Sequence, residues 1–328
     1  MTGGAGRASY VLRRLLQVVP VVLAILVMNF LLLRLAPGDA AQVLAGEAAS
    51  ATPEYMAQLR QRFGLDRPLA MQLLLYVKGM LVLDLGFSFR HNMPVLELIL
   101  GRLGPTLLLM VTTFVASVAT GIVLGLLAAA RAGSWRDTLI SILALVSYAT
   151  PLFWLGLMLI VVFSLKLDWL PTSGMETVAA FHGGWARVVD IARHLVLPTL
   201  TLSPFYMALY VRLMRAAMLE QAGMDYVTTA RAKGLSEMRI TLSHVLRNAV
   251  LPVVTMAGVQ VGSLLGGSIV VESVFAWPGL GLLAFQSLFA RDFNLLLGIF
   301  FLSACLVVVV NLAVDLVYLA LDPRIKTS

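Results

Sequence analysis

Leu103–Ala130 reads LGPTLLLMVTTFVASVATGIVLGLLAAA, 28 residues without one Asp, Glu, Lys or Arg. As an α-helix this run would rise about 42 Å at 1.5 Å per residue, more than the ~30 Å hydrocarbon core of a bilayer requires. Backbone polar groups find no water in that core, so a run of this kind must bond to itself as a helix. Five further stretches pass the same test: Leu15–Leu33, Thr138–Leu165, Leu195–Val211, Asn248–Val271 and Phe293–Val314. The fourth in chain order, Leu195–Val211, is the shortest and is expected to continue past Arg212, whose side chain can snorkel. Composition agrees: 60% of residues are hydrophobic, 12% are charged and mean hydropathy is +0.92. Soluble domains carry about a quarter charged residues. The reading is an all-α membrane protein with six transmembrane helices.

Lys and Arg concentrate in short cytoplasmic loops. With the N-terminus inside, thirteen bases face five acids there: Asp137, Glu220, Asp225, Glu237 and Asp322. Eleven bases and eleven acids then lie outside, with Asp315 near the end of the last span. Six spans with both termini in the cytoplasm satisfy this distribution. The pI of 9.9 becomes a topology signal and calls for no nucleic-acid partner. The first span lacks a small-residue cleavage site and ends in Arg34-Leu35-Ala36-Pro37-Gly38-Asp39, so it is read as a retained helix and not a signal peptide.

The connectors divide the chain into a tail and first span (1–33), an outer segment (34–102) and a five-helix core (103–328). In the outer segment, Thr52-Pro53-Glu54 marks a helix start, Gly64 a stop, and Arg67-Pro68 a second start. Leu69–Leu83 is apolar but short and carries Lys78, which suits an interfacial or packed helix. Asp84-Leu85-Gly86-Phe87-Ser88 reads as a turn. Together these make an extracytoplasmic helical lid. In the core, the Thr150-Pro151 step is expected to bend the third span.

The inner loop 212–247 is long, charged and patterned. Asp225 reads as an N-cap, Lys233 complements the C-terminal end of a helix dipole, and Gly234 suits a left-handed position just past the helix. Ser236-Glu237 caps a second helix that enters the membrane near Leu251-Pro252. A short helix sealed at both ends can press into a soluble partner and pass rigid-body motion to the spans.

This loop resembles that of ABC importer permeases, in the variant of the dipeptide/oligopeptide/nickel family. The similarity lies in Tyr226-Val227-Thr228-Thr229-Ala230-Arg231-Ala232-Lys233-Gly234-Leu235 and in His244-Val245-Leu246-Arg247-Asn248-Ala249-Val250-Leu251-Pro252. Thr228-Thr229-Ala230, Gly234 and Leu251-Pro252 take the places of Glu-Ala-Ala, glycine and Leu-Pro in the general motif. Thr228 departs from its glutamate, and the glycine-to-proline spacing is longer; both are usual in the peptide branch. Further matches follow in order: Arg34–Asp39, Gly64–Leu69, Asp84–Ser88, Pro94-Val95, Gly266-Gly267-Ser268 and Glu272–Gly281. The resemblance implies a type I importer permease fold. It also implies a second homologous permease subunit, two cytoplasmic ATPase subunits that bind ATP and Mg, and an extracytoplasmic solute-binding protein. Peptides are the implied cargo, with nickel, glutathione-like compounds and sugars as alternatives. Asp225, Tyr226, Thr228, Thr229, Ala230, Arg231, Lys233 and Gly234 would couple the chain to the ATPase.

Intramembrane acids are functional candidates by default. Glu272, at the outer end of span five, and Asp315, near the inner end of span six, join Gln260 and Ser268 as candidates for the translocation path. Both acids sit close enough to an interface to be solvated. Asn29, Gln260 and Asn311 also suit helix–helix bonding. The four histidines show no metal-ligand spacing, and the single Cys305 excludes a disulfide framework. Enzyme signatures such as His-Glu-x-x-His and Gly-x-Ser-x-Gly are absent from the sequence. No Gly-Lys pair exists, so no phosphate loop can form in this chain and it needs no cofactor of its own. A secondary transporter would show inverted repeats and broken helices around a charged midplane, and neither is legible. A channel is not excluded by composition but leaves the sealed inner helix unexplained.

Overall fold

The computed structural model describes residues 3–35, 67–88, 90–178, 180 and 183–321, with side chains at 3–15, 33–35, 265, 267 and 315–321 left out of the description. The helix start at Thr52, the stop at Gly64, the Pro37-Gly38-Asp39 element and His182 lie outside the described residues. Helix α1 spans Gly3–Leu35 and α2 spans Leu69–Leu81, entered from Pro68. Strand β1 (Phe87–Ser88) pairs antiparallel with β2 (Met93–Pro94), Phe87 opposite Pro94 and Ser88 opposite Met93. Then come α3 (Val95–Ala130), α4 (Trp135–Ala149), and α5 (Leu152–Leu159) with a π turn over Ile160–Lys166. Helix α6 covers Gly184–Ala222, α7 Asp225–Ala232 and α8 Glu237–Ile240. A π turn at Thr241–Val245 leads into α9 (Leu246–Gln260), and a 3-10 turn at Val261–Ser263 leads into α10 (Leu264–Val274). Helices α11 (Leu280–Phe289) and α12 (Phe293–Leu321) complete the order.

Among the described residues four helical runs are long and apolar enough to cross a membrane: Val95–Ala130, Gly184–Ala222, Glu237–Ser263 and Phe293–Val314. A fifth span results if α4 and α5 count as one. The bend expected in the third span, Thr138–Leu165, at the Thr150-Pro151 step is present, and it is larger than a kink. The two helices meet at 104°, well beyond an ordinary proline kink. Pro151 has no N–H to continue the ladder and pushes the preceding residue out of the helical region. Thr150 accordingly sits at ψ 126°, fully extended. Its amide and hydroxyl both donate to the Val146 carbonyl (3.0 and 2.7 Å), which seals the end of α4. The Pro151 carbonyl then accepts from Leu155 N (3.0 Å) to start α5.

The chain packs as two units, Met1–Leu103 with Leu283–Ser328, and Gly104–Leu282. In the first, α1 packs against α2 and α12. Asn29 donates across that contact to the Leu297 carbonyl (3.4 Å), the helix-bonding role expected of it. The turn expected at Asp84–Ser88 is half of the hairpin. Ser88 is fully buried and donates to the Asp292 carboxylate, whose other oxygen accepts Leu295 N (3.2 Å) and closes the start of α12.

In the second unit α6 is the axis. Gly121 and Gly125 on α3 let the two backbones approach closely. A Cβ at Gly121 would lie 2.4 Å from Tyr210 Cβ, and one at Gly125 2.6 Å from Met214 Cβ. Ser117, one turn earlier, donates to the Ser203 carbonyl (3.1 Å). Small residues four apart are how apolar helices pack where no hydrophobic force separates protein from lipid. Helix α6 runs on past Arg212 as expected.

Candidate functional site

Two places carry the sequence candidates: the loop around Asp225 and the exit of α10 around Glu272. In the loop, α7 is an eight-residue helix. Its start corrects the expectation: Met224 occupies the N-cap position, and Asp225 is the first helical residue. There its carboxylate favours the helix dipole without bonding an end amide. The other end is as expected. Lys233 is the C-cap and Gly234 follows at φ +76°, the left-handed region that glycine enters without cost. Gly234 N donates to Arg231 O (2.9 Å) and Leu235 N to Ala230 O (3.3 Å), the paired closure of a Schellman turn.

Burial sorts the motif into two faces. Val227 and Ala230, three apart, join a buried cluster that includes Met214, Ala217, Met218, Ile240 and Val245, with Tyr226 and Leu235 packed against it. Tyr226 also donates its hydroxyl to Gln221 Oε1 (2.9 Å). Asp225, Thr228, Thr229, Arg231, Lys233 and Gly234 are exposed. So Ala230 holds the helix in place, and the residues around it face outward. Arg231 bridges the Gly234 turn, its guanidinium forking onto both oxygens of Glu237 (2.7 and 3.1 Å). The candidate Ser236 is the N-cap of α8 as expected.

Glu272 is not solvated, which corrects the expectation made from its position in the sequence: it is 0% exposed. Its carboxylate accepts from Thr106 Oγ1 (2.9 Å), from Leu282 N (3.0 Å), from Gly281 N and from Ser268. Thr106 Oγ1 in turn accepts Leu280 N (2.7 Å). The first three amides of α11, which no intrahelical carbonyl can reach, are thus satisfied by side chains from elsewhere. Trp277, also 0% exposed, donates Nε1 to Pro105 O (2.9 Å) and N to Glu272 O (2.9 Å). Space is cut to fit the carboxylate: a Cβ at Gly279 would fall 2.4 Å from Glu272 Cδ, and one at Gly281 2.8 Å from Oε2.

Structure therefore brings Glu272 and Ser268 together, and adds Thr106, which sequence reading passed over, and Trp277, which it quoted in the Glu272–Gly281 match without a site role. Gln260 is half-buried at the end of α9, away from that cluster in sequence and bonding. Asp315 lies on α12, with its side chain outside the described residues. A second missed contact joins Asp137 to Arg215. Among the described residues no three His, Cys, Asp or Glu side chains gather to hold a metal ion.

Long apolar helices closed on one another by glycine, with a short helix closed at its C-terminal end packed beside them, define a multi-pass membrane protein. Residues 121–327 match the family described as binding-protein-dependent transport system inner membrane component, and residues 8–110 match its N-terminal component. The chain belongs to this family. The dipeptide transport system permease protein of Escherichia coli (strain K12) is 40% identical over 335 residues, covering 97% of this chain and 98% of that one. The oligopeptide transport system permease protein of Bacillus subtilis (strain 168) is 39% identical over 320 residues (97% and 99%). The glutathione transport system permease protein of Salmonella typhimurium is 41% identical over 318 residues (97% and 99%). Among solved structures, the inward-facing methionine ABC transporter MetNI matches with TM-score 0.55 at 19% identity, covering 69% of this chain and 97% of that one. The fold is that of an ABC importer permease: a multi-pass inner-membrane transport component, not an enzyme, working with ATPase and solute-binding partners.

Proposed function

We propose that this chain is one of two homologous permease subunits forming the translocation path of an ATP-driven peptide importer. Helix α7 is its contact with the cytoplasmic ATPase subunits, of which there are two. The observation that carries this is α7 itself: exposed along one face, locked by Val227 and Ala230 along the other, and sealed by the Gly234 turn. Such a helix moves as a body with α6. In this reading α1 and the α4–α5 pair complete six spans, both termini are cytoplasmic, residues 34–102 form an extracytoplasmic lid, and 212–247 is the coupling loop. Gln260 and Asp315 remain path candidates, while Glu272 and Ser268, bonded to each other and buried, act by positioning.

Peptide cargo rests on relatives near 40% identity whose names specify dipeptides and oligopeptides. Glutathione, a γ-linked tripeptide, is the second reading, favoured by the 41% identical glutathione permease. Uptake of radiolabelled dipeptide by the reconstituted importer, competed by oligopeptide, glutathione or nickel, tests both. Competition by nickel alone would overturn the peptide reading. Cysteines at Ser134 and Glu237 should label only from the cytoplasm and one at Gly183 only from outside; labelling at Glu237 from outside would overturn the topology.

A further inference from the structure

Asp137 stands in the first turn of α4 with its side chain only 6% exposed. Arg215 reaches it from α6 with a two-point fork, Nε to Oδ1 at 2.6 Å and Nη2 to Oδ2 at 2.7 Å. Gly133 N adds a third bond to Oδ2 (2.9 Å). Exposed ion pairs hold structure weakly because water competes for both charges. Here the carboxylate is nearly buried while the Arg215 side chain is 34% exposed, and the two-point planar fork fixes one geometry that a single-point contact would not.

Position gives this pair its consequence. Arg215 lies on the last part of α6, and only Gly223-Met224 separate that helix from α7. Met214, Ala217 and Met218, on the same stretch of α6, share a buried cluster with Val227 and Ala230 of α7. A displacement of α7 is therefore a displacement of Arg215, and through the fork, of Asp137. Farther along α4, Tyr148 stacks on Phe205 of α6 (centroids 5.1 Å apart), with Arg212 over its ring at 5.8 Å. Two residues beyond Tyr148 the chain turns through 104°. Helix α4 is thus fastened along α6 and ends at an elbow lined by Val146, Ala149, Thr150, Pro151, Phe153 and Trp154, around an open cleft of about 440 Å³.

We infer that Asp137 and Arg215 are positioning residues of the transport cycle: their fork fastens α4 to the helix that leads into α7, so that motion imposed on α7 changes the angle of the Thr150-Pro151 elbow. This rests on the coupling reading of α7. The fork transmits a displacement; it contacts no cargo and needs no change of protonation.

The test uses the assembled complex with its ATPase subunits, in a Cys305→Ser background. Spin labels go on Leu143 of α4 and Leu157 of α5, which are 53% and 48% exposed. Pulsed EPR then reads the distance across the elbow without nucleotide and with ATP trapped by vanadate. The parent should show a nucleotide-dependent shift. Asp137→Asn should abolish it, and Arg215→Lys, which keeps the charge but loses the fork, should reduce it, with assembly intact in both. An unchanged shift in both variants, no shift in the parent, or loss of assembly in both would overturn the inference. Gly234→Val is the separate arm for α7. If it leaves the shift intact, the coupling reading fails; if it removes the shift while both fork variants keep it, only the fork's role fails.

Discussion

Helices α7 and α11 are both short, and both must satisfy end groups that no intrahelical bond can reach. They do so by opposite means. The C-terminal end of α7 is closed by the next two residues of its own chain, Gly234 and Leu235. The N-terminal end of α11 is closed by Glu272 and by Thr106, which lies 174 positions before Leu280. A locally closed helix keeps its shape wherever it is placed, which suits a part that moves as a body. One closed by distant side chains is welded to its surroundings and cannot move without leaving buried donors bare.

Glu272→Ala should have the largest effect. It strands the donors at Thr106, Ser268, Gly281 and Leu282 around a carboxylate position that is fully buried. At about 1–3 kcal/mol for each unsatisfied group, and with partial relaxation, a loss of about 4 kcal/mol is expected. Thermal unfolding of the purified chain in detergent reads it. A melting temperature within a degree of the parent's would show that α11 is not welded at all.

Gly279→Ala comes next, because its Cβ would enter the carboxylate from 2.4 Å. Overpacking of this kind costs about 1–3 kcal/mol. Thr106→Val, which removes both the donor to Glu272 and the acceptor for Leu280, should fall in the same range, and Thr106→Ser should restore the parent's melting temperature. Failure of Ser to restore it would assign the effect to packing of the threonine methyl.

Gly234→Val tests the other region. Nothing lies within 4 Å of the position its Cβ would take, so the cost is the left-handed backbone alone, about 1–2 kcal/mol. Membrane insertion and the melting temperature should change little, while uptake and receptor-stimulated ATP hydrolysis fall together in the assembled importer. Parent-like uptake at parent-like assembly would reduce α7 to a connector. Asp225→Ala should be the mildest. Having the first helical position and not the N-cap, Asp225 contributes only its favourable charge near the helix start, about 0.3–1 kcal/mol. A loss as large as that of Gly234→Val would mean that the carboxylate itself meets the partner.

The difference between the regions is also the difference between what could be read in advance and what could not. Apolar run lengths located the helices, because whether a segment can cross a bilayer depends on its own composition. The Gly234 turn was legible for the same reason: left-handed closure needs glycine at one position, and its bonds span five residues. The Asp225 cap was misplaced by one residue, since Met224 and Asp225 differ in role only by where the helix begins. Pro151 announced a bend, but its angle depends on how α4 and α5 each pack on α6. Gly121-x-x-x-Gly125, a sign of close packing, was not read in advance, and it does not say which helix approaches. Glu272 read as an acid near an interface and Asp137 as one of the cytoplasmic-side acids, because sequence position reports depth and says nothing of neighbours. The side chains that reach them from other helices, Thr106 and Arg215, lie 166 and 78 positions away. By itself the sequence determined which segments are helical and how the loop helix ends, because those choices are decided by side chains within a turn or two. Only the tertiary structure decided which charges are buried, what they hold and where the third span breaks, because contacts between distant segments exist only once the helices have packed.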